Sequence, residues 1–416
     1  KTQFSSNNNP ILHSTEITRF QIMHHELPAE NLRNNTKLLE SANKYLSNLS
    51  IQGFRPISMM ATYYLTLSLK MLDYKGFDAY ASQIKQFVLS KFNWTSLRFE
   101  ESINYSKLDK NSAMLFTQPY TPHLTHQLGI NILGNLNVLQ DVFNSTIREH
   151  WKQEIWSFWN DDYGFGSFYT DQSTLTETYF SIQALLSLYN NRPESFTIEQ
   201  QEKITLFIIS RQDNGSLYPA IKGVFKEVSP DPHIGWENFY ASWMAIKSLI
   251  LLEANITDIS SNFANFLLRN HLYNQTTRTF YDNWNQQFKS DVKSYLGTAL
   301  IGYCVEILNL QEHFLGFQYL SFNLLNATSL QYNPTSNERI YFYSRKDYRS
   351  DDLFVQYQVL HFLKHSNQIK RFKNLTQLYD PYLNHLMSRY YGEKGVSYIS
   401  PNFPSIKKFY IQLHGG

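Results

Sequence analysis

The chain has a single cysteine, Cys304, in 416 residues, which excludes both a disulfide framework and a thiolate metal cluster. Cys304 sits in an apolar helical run, Leu300 to Val305, where a buried, inert thiol is the expected state. Charged residues make up only 17% of the sequence, and a net charge of +2 gives no case for nucleic acid. Lysine and arginine form no stripe, and the one short basic run, Lys370-Arg371-Phe372-Lys373, reads as a solvated turn. No stretch approaches the roughly 18 apolar residues that a membrane-spanning helix needs. The chain begins Lys1-Thr2-Gln3 rather than with methionine, so the expectation is a removed leader or numbering that starts inside a longer protein.

What is abundant fills the deficit. Aromatic residues reach 16%, accompanied by Asn, Ser and Thr. Asn-x-Ser/Thr occurs at Asn34, Asn48, Asn93, Asn104, Asn144, Asn214, Asn255, Asn274, Asn326 and Asn374, a mild excess over what composition alone gives. Most of these triplets fall at loops or helix ends. The reading is a secreted or cell-surface glycoprotein, with an Asn-heavy cytoplasmic protein as the alternative.

Residues 1–30 are Asn/Ser-rich and aperiodic, and read as an extended arm. From 31 to 416 apolar residues recur at helical spacing in pairs of segments. The pairs are 31–47 with 57–73, 78–91 with 122–140, 145–158 with 173–189, and 198–210 with 235–253. Then come 258–271 with 291–309, 312–326 with 351–366, and 375–390 with 405–413, where the chain stops early. The second members align on Tyr63, His126, Tyr179, Tyr240, Tyr295, Gln356 and Tyr410. Turns with Gly or Pro and aromatics precede most of them, as in Gly164-Phe165-Gly166-Ser167-Phe168 and Gly215-Ser216-Leu217-Tyr218-Pro219. Glycine supplies positive φ for the return, and the aromatic plugs the gap between neighbours. Hairpins that each bury one face need neighbours on both sides. Six or seven of them closing on themselves predict an all-α fold, an α/α toroid with inner and outer helices alternating.

Gly164-Phe165-Gly166 followed by Glu177-Thr178-Tyr179-Phe180, and Gln212-Asp213-Asn214-Gly215-Ser216 followed by Phe239-Tyr240-Ala241-Ser242-Trp243, resemble the repeats of protein prenyltransferase β-subunits and squalene–hopene-type cyclases. The resemblance runs from about 35 to 413. It implies an α/α toroid, and it implies chemistry whose residues can be checked. Prenyltransferases hold zinc with an Asp-x-Cys pair and a His. Here Glu237 and Phe239 match the pair and Lys293 stands near the His, and neither Phe nor Lys can serve as such a ligand. The Asp-x-Asp-Asp acid of the cyclases is missing, since Asp161-Asp162 and Asp351-Asp352 do not complete it. No metal and no cofactor are therefore expected.

In such a ring the ligand rim is the first turns of the inner helices: Asp161, Trp236, Tyr240, Asp282, Trp284, Lys293, Tyr295, Arg345 and Asp352. Acids among exposed aromatics suit sugars. Glu237, Asp162 and Asp351 are the candidate general acid/base carboxylates, although Asp351 and Asp291 also stand where helix caps belong. His123 with His126, and His361 with His365, have the spacing of ligand pairs but lack a third ligand, so packing or capping is expected. Trp151, Trp156 and Trp159 read as core anchors. The functional expectation is a non-catalytic binding or assembly domain whose partner is a protein, a glycan or another copy of the chain. The alternative is an enzyme using the cavity, acting on a polysaccharide or an isoprenoid.

Overall fold

Helix boundaries in this chain are set by short polar caps around long apolar runs. Ser58 accepts from Ala61 N at 3.0 Å and opens α1, Met59–Met71, while Thr174 accepts from Glu177 N at 3.0 Å and opens a helix at Leu175. Thr197 and Gln200 form a reciprocal capping box at the start of Ile198–Ser210. The computed structural model describes residues 58–100, 122–166, 173–190, 196–215, 222–227, 236–281, 295–320, 324 and 353–396. The chain divides into two units, and all of these residues lie in the one formed by Arg55–Ser102 and Thr121–Pro401. The arm 1–30, the first helix of the first pair and the last helix of the seventh lie outside the described residues.

The elements are α1 (Met59–Met71), α2 (Phe77–Ser90), α3 (Pro122–Asn135), α4 (Leu139–Val142), α5 (Ser145–Trp156), α6 (Leu175–Leu188) and α7 (Ile198–Ser210). They continue as α8 (Trp236–Leu251), α9 (Thr257–Arg269), α10 (Tyr295–Ile307), α11 (Leu353–His365), α12 (Ile369–Asn374) and α13 (Thr376–Met387). Contacts run from α1 to α3, α6, α8, α10 and α11, and α11 packs back on α1. That closure makes an α/α toroid: α1, α3, α6, α8, α10 and α11 form the inner ring, and α2, α5, α7, α9 and α13 are amphipathic outer members. Inner helices are buried almost all round, as α6 and α11 show, which is why they read as continuous apolar runs.

The turn between an outer helix and the next inner helix is a small antiparallel hairpin. Phe92↔Phe99, Trp159↔Phe165, Gln212↔Phe225, Tyr273↔Phe280 and Tyr390↔Val396 are the closing pairs. The second residue of each pair is buried to 1% exposure or less, so the expected aromatic plug is present in the first four, and Val396 takes its place in the fifth. Its backbone N–H is received by a polar group of the following inner helix: Phe99 by His126 Nδ1 (3.2 Å), Phe165 by Thr178 Oγ1 (3.0 Å), Phe225 by Ser242 Oγ (3.1 Å) and Phe280 by Thr298 Oγ1 (3.0 Å). These contacts shift the repeat register: Thr178 corresponds to Ser242 and Thr298, not Tyr179 to Tyr240 and Tyr295. The glycine expectation also needs correcting at one turn. Tyr163 takes the positive φ there, at 69°, and Gly164 is required instead because a Cβ would lie 2.4 Å from the Phe207 ring. Nor is 312–326 one helix: two short 3-10 turns are separated by Gly316 at φ 76°.

Candidate functional site

The hairpins bring their acids to the N-terminal mouth of the ring, and there the acids are engaged. Asp162 Oδ1 accepts from Ser173 Oγ at 2.5 Å and from Gly164 N at 3.2 Å, while Oδ2 pairs with Arg211 at 2.8 Å. Arg211 is 7% exposed and lies over the Phe207 ring at 4.4 Å. Its partners are Ser173 and Gly164 of its own turn and, from the end of α7, Arg211, so the carboxylate, 42% exposed, serves as a staple between neighbouring hairpins. Replacing Asp162 by Ala should cost about 1–3 kcal/mol of stability by leaving Arg211 desolvated and unpaired. Replacement by Asn, which keeps the acceptor, should cost less. Urea midpoints of the two variants would show this order. Asp161 is exposed in the same turn.

Glu227 was not foreseen from sequence. Its carboxylate accepts from Thr176 N at 2.8 Å and its carbonyl from Leu175 N at 3.2 Å, so the neighbouring hairpin caps the start of α6. A negative charge at a helix N-terminus is stabilising. Asp213, paired with the buried Lys226, performs the same stapling in that hairpin.

Of the remaining rim candidates, Trp236, Glu237 and Tyr295 stand in the first turns of α8 and α10, with only their backbones described. Asp282, Trp284, Lys293, Arg345, Asp351 and Asp352 lie outside the described residues. Tyr240 points into the ring, with its centroid 4.9 Å from that of Phe354.

Tyr240 belongs to a layer that crosses the bore. Tyr64 of α1 stacks on Tyr357 of α11 at 5.4 Å and hydrogen-bonds Tyr240 of α8, the helix opposite it in the ring. Tyr63 donates to Gln183 Oε1 at 2.6 Å, Gln183 Nε2 donates to Tyr179 at 2.8 Å, and Tyr179 hydrogen-bonds Tyr357 across the opposite diameter. Trp243 sits between them, 5.4 Å from Tyr179, 6.3 Å from Tyr303 and 6.2 Å from Tyr357. Tyr63, Tyr179 and Trp243 are each 1% exposed. Burial pushes the phenols of Tyr63, Tyr179, Tyr240 and Tyr357 well above the ordinary tyrosine value, which keeps them neutral hydrogen-bonding groups.

The histidine pairs divide. His126 stacks on Phe99 and holds its amide, so it is a positioning group of the hairpin. His123 approaches Gln127 Nε2 at 2.7 Å and packs on Phe158 at 4.0 Å. His361 and His365 lie at the other end of the bore, with ring centroids 4.7 Å apart. Among the described residues no group of three or more His, Cys, Asp or Glu is placed to hold a metal. Trp151 is fully buried and donates to Leu97 O at 2.6 Å, and Trp156 packs on Trp159 and Phe165, so these are anchors of the hairpins as expected. Cys304 is buried, and burial pushes its thiol up.

A partly buried carboxyl of α10 has no such engagement among the described residues. Glu306 sits one turn after Tyr303, and burial pushes its pKa up to about 7, with Oε2 buried and without a hydrogen-bond partner among the described residues. A carboxyl whose folded pKa is raised stabilises the protein in its protonated form, and that advantage is lost as pH rises from about 4.5 to 7. Glu306→Gln should therefore melt higher than the parent at pH 8 and equal to it at pH 4, which thermal scans at the two pH values would check.

Residues 122–277 match the family described as the prenyltransferase alpha-alpha toroid domain. The fold is a prenyltransferase-like toroid. Among solved structures the toroid is similar to Candida albicans protein geranylgeranyltransferase-I, complexed with GGPP, with a TM-score of 0.51 at 14% identity over 87% of this chain and 93% of that one. At that identity the likeness is one of fold. No curated protein matches the sequence. No described helix of the toroid is long and apolar enough to cross a membrane.

Proposed function

We propose that this toroid is a non-catalytic binding or assembly domain, displayed outside the cell as a glycoprotein, whose partner is a protein, a glycan or a second copy of the chain. The observation that carries the reading is the aromatic layer: tyrosines from α1, α6, α8 and α11 meet across the bore, where a cavity enzyme of this architecture would hold its substrate. Asp162, fixed by Arg211 and Ser173, adds support. The alternative, an enzyme acting on an isoprenoid or a polysaccharide, requires that layer to part. The solved relative was complexed with GGPP, so that compound is the natural probe. The full chain, incubated with GGPP and a cysteine peptide in the presence of zinc and magnesium, is expected to form no thioether. Turnover above the peptide-only background would sink the non-catalytic reading.

The extracellular assignment has its own check. A sugar is attached through the Asn Nδ2, so that atom must be free and reachable. Asn144 and Asn255 are exposed, and each uses Oδ1 rather than Nδ2 in its local turn; Asn374 is exposed at the end of α12. Asn93 and Asn274 instead donate Nδ2, to Glu100 at 3.1 Å and to Tyr281 at 3.0 Å. Peptide mapping of natively produced protein should find sugar at Asn144, Asn255 and Asn374 ahead of Asn274. Bare asparagine at every site would place the protein inside the cell.

A further inference from the structure

Two hairpins of the ring are built alike and differ at an exposed position. Phe92 pairs with Phe99 and Asn93 with Arg98, as Tyr273 pairs with Phe280 and Asn274 with Thr279. Asn93 Oδ1 accepts from Thr95 N and Ser96 N at 2.9 and 3.3 Å, and Asn274 Oδ1 accepts from Thr276 N and Thr277 N, both at 3.0 Å. Leu97 and Arg278 take the left-handed position, at φ 55° and 52°. A phenylalanine from later in the chain rests on each hairpin. Phe143 lies 4.8 Å from Phe92 and 6.0 Å from Phe99, and Phe314 lies 5.4 Å from Tyr273 and 5.3 Å from Phe280. This correspondence matches Trp94, which is 67% exposed, with the exposed Gln275. The turn itself therefore needs no aromatic ring there. Trp94 makes an edge contact with Phe92 at 4.8 Å and leaves most of its surface in water.

The same correspondence matches the residue after Phe143 with the residue after Phe314. Asn144 opens an Asn-Ser-Thr triplet, whereas Leu315 belongs to none. Tryptophan and sugar acceptor thus occur together in one repeat and are replaced together in the other. They are also near each other: the Trp94 ring centroid lies 6.2 Å from that of Phe143, the residue before Asn144. Asn144 is exposed, and its Oδ1 accepts from Ile147 N at 3.0 Å to cap α5. A sugar joined through Nδ2 leaves that carbonyl oxygen in place, so the cap and a glycan are compatible. Asn93, beside Trp94 in the chain, is a poorer acceptor, since its Nδ2 is held on Glu100 just as that of Asn274 is held on Tyr281.

We propose that Trp94 is the platform for the first N-acetylglucosamine of a glycan carried by Asn144. The inference rests on the extracellular reading above and gives it a specific contact. In the attachment Asn144 Nδ2 loses one proton and bonds to the sugar's anomeric carbon, whose bond to a polyprenyl diphosphate donor breaks, so that the diphosphate leaves. The apolar face of the pyranose then lies on the indole face. Because the sugar is tethered next to the ring, a contact too weak to hold a free sugar suffices.

The test uses the full chain secreted from a eukaryotic host. Thr146→Ala, at an exposed position, deletes the triplet and keeps the Asn144 cap, and Trp94→Gln installs the side chain of the matched hairpin. Peptide mapping is expected to find sugar on Asn144. Thr146→Ala should lower the melting temperature by about 1–2 °C in the parent and leave it unchanged in the Trp94→Gln background, the non-additivity of a direct contact. The fluorescence that Trp94→Gln removes should be quenched by acrylamide severalfold more readily in Thr146→Ala than in the parent. Should Trp94→Gln fail to fold, Trp94→Tyr takes its place in both measurements and is expected to weaken the coupling. Equal quenching with and without the sugar, or additive melting shifts, would overturn the proposal. Sugar at Asn255 or Asn374 with Asn144 bare would overturn it and leave the extracellular reading standing, whereas bare asparagine at every triplet would remove both. Dimerisation of the Thr146→Ala protein that depends on Trp94 would assign the ring to a second copy of the chain and overturn it as well.

Discussion

Trp243→Ala should lower the free energy of unfolding by about 3–5 kcal/mol, the range for removing a large buried aromatic, and is expected to be the most damaging substitution in the inner ring. Trp243 is 1% exposed and touches Tyr179 of α6, Tyr303 of α10, and Tyr357 and His361 of α11. No single neighbour can collapse into the space, because the contacts come from three different helices. A hydrogen-bonded layer is also stiff: Tyr179 is held by Gln183, and Gln183 by Tyr63, so relaxation on one side strains the other. Trp243→Phe keeps the apolar contacts and should cost roughly a third as much or less. Paired with Tyr357→Ala, Trp243→Ala should be less than additive, because the two residues touch. Denaturant midpoints with unchanged slopes would measure all three. A loss below about 1 kcal/mol for Trp243→Ala would mean that the bore is open at this level, and the non-catalytic reading would lose its main support.

The ring itself was legible because its signal is a repeated one. The helices expected at 57–73, 78–91, 198–210 and 351–366 are observed within a few residues, as Met59–Met71, Phe77–Ser90, Ile198–Ser210 and Leu353–His365. Each inner helix is apolar on every side and each outer one on a single stripe, and that contrast survives in sequence. What sequence could not give was the depth of each inner residue. Tyr240 and Tyr179 look equivalent as first-turn aromatics, yet Ser242 and Thr178 make the matching bonds to Phe225 and Phe165. The available cue was a hydroxyl inside an otherwise apolar helix, as in Glu177-Thr178-Tyr179 and Ala241-Ser242-Trp243. A buried hydroxyl needs a partner, and a hairpin amide is a near one.

The acids mislead for a related reason. A carboxylate beside an aromatic turn looks the same in sequence whether it faces a ligand or a backbone. Asp162 turns to Ser173 and Arg211, and Glu227 turns to the start of α6. The groups around His361 at the opposite end were hidden because Lys247, Tyr303 and His361 are far apart in the chain and meet only when the ring closes. His361 and His365 were noticed as a pair, but their surroundings depend on Lys247 of α8, two ring positions back from α11, whose Nζ lies 3.5 Å from His361 Nε2.

Gly223→Ala should be the most damaging change outside the bore, at about 3 kcal/mol or more from left-handed strain and overpacking together. Gly223 has φ 103°, a backbone state that L side chains rarely adopt. A Cβ added there would lie 2.1 Å from Asn262 O and 2.7 Å from Asn262 C. Those are backbone atoms of α9, so nothing can swing aside without moving the helix. The helix is also tied to this hairpin: Gln212 Nε2 donates to Gly223 O at 2.9 Å and to Ile259 O at 3.2 Å, and Arg269 donates to Lys222 O at 2.8 Å. Moving α9 would break those bonds and unseat Phe225, whose amide is held by Ser242. Gly215→Ala is the matched control. Its φ is 80° and its added Cβ meets Lys222 Cβ at 2.9 Å, a milder approach than the 2.1 Å to a helix carbonyl at Gly223, so the conformational cost of about 1–2 kcal/mol should dominate and the total loss should be the smaller of the two. Equal losses for the two variants in urea unfolding would show that the hairpin does not approach α9 this closely, and with it would go the account of how each turn is locked to its neighbouring helix.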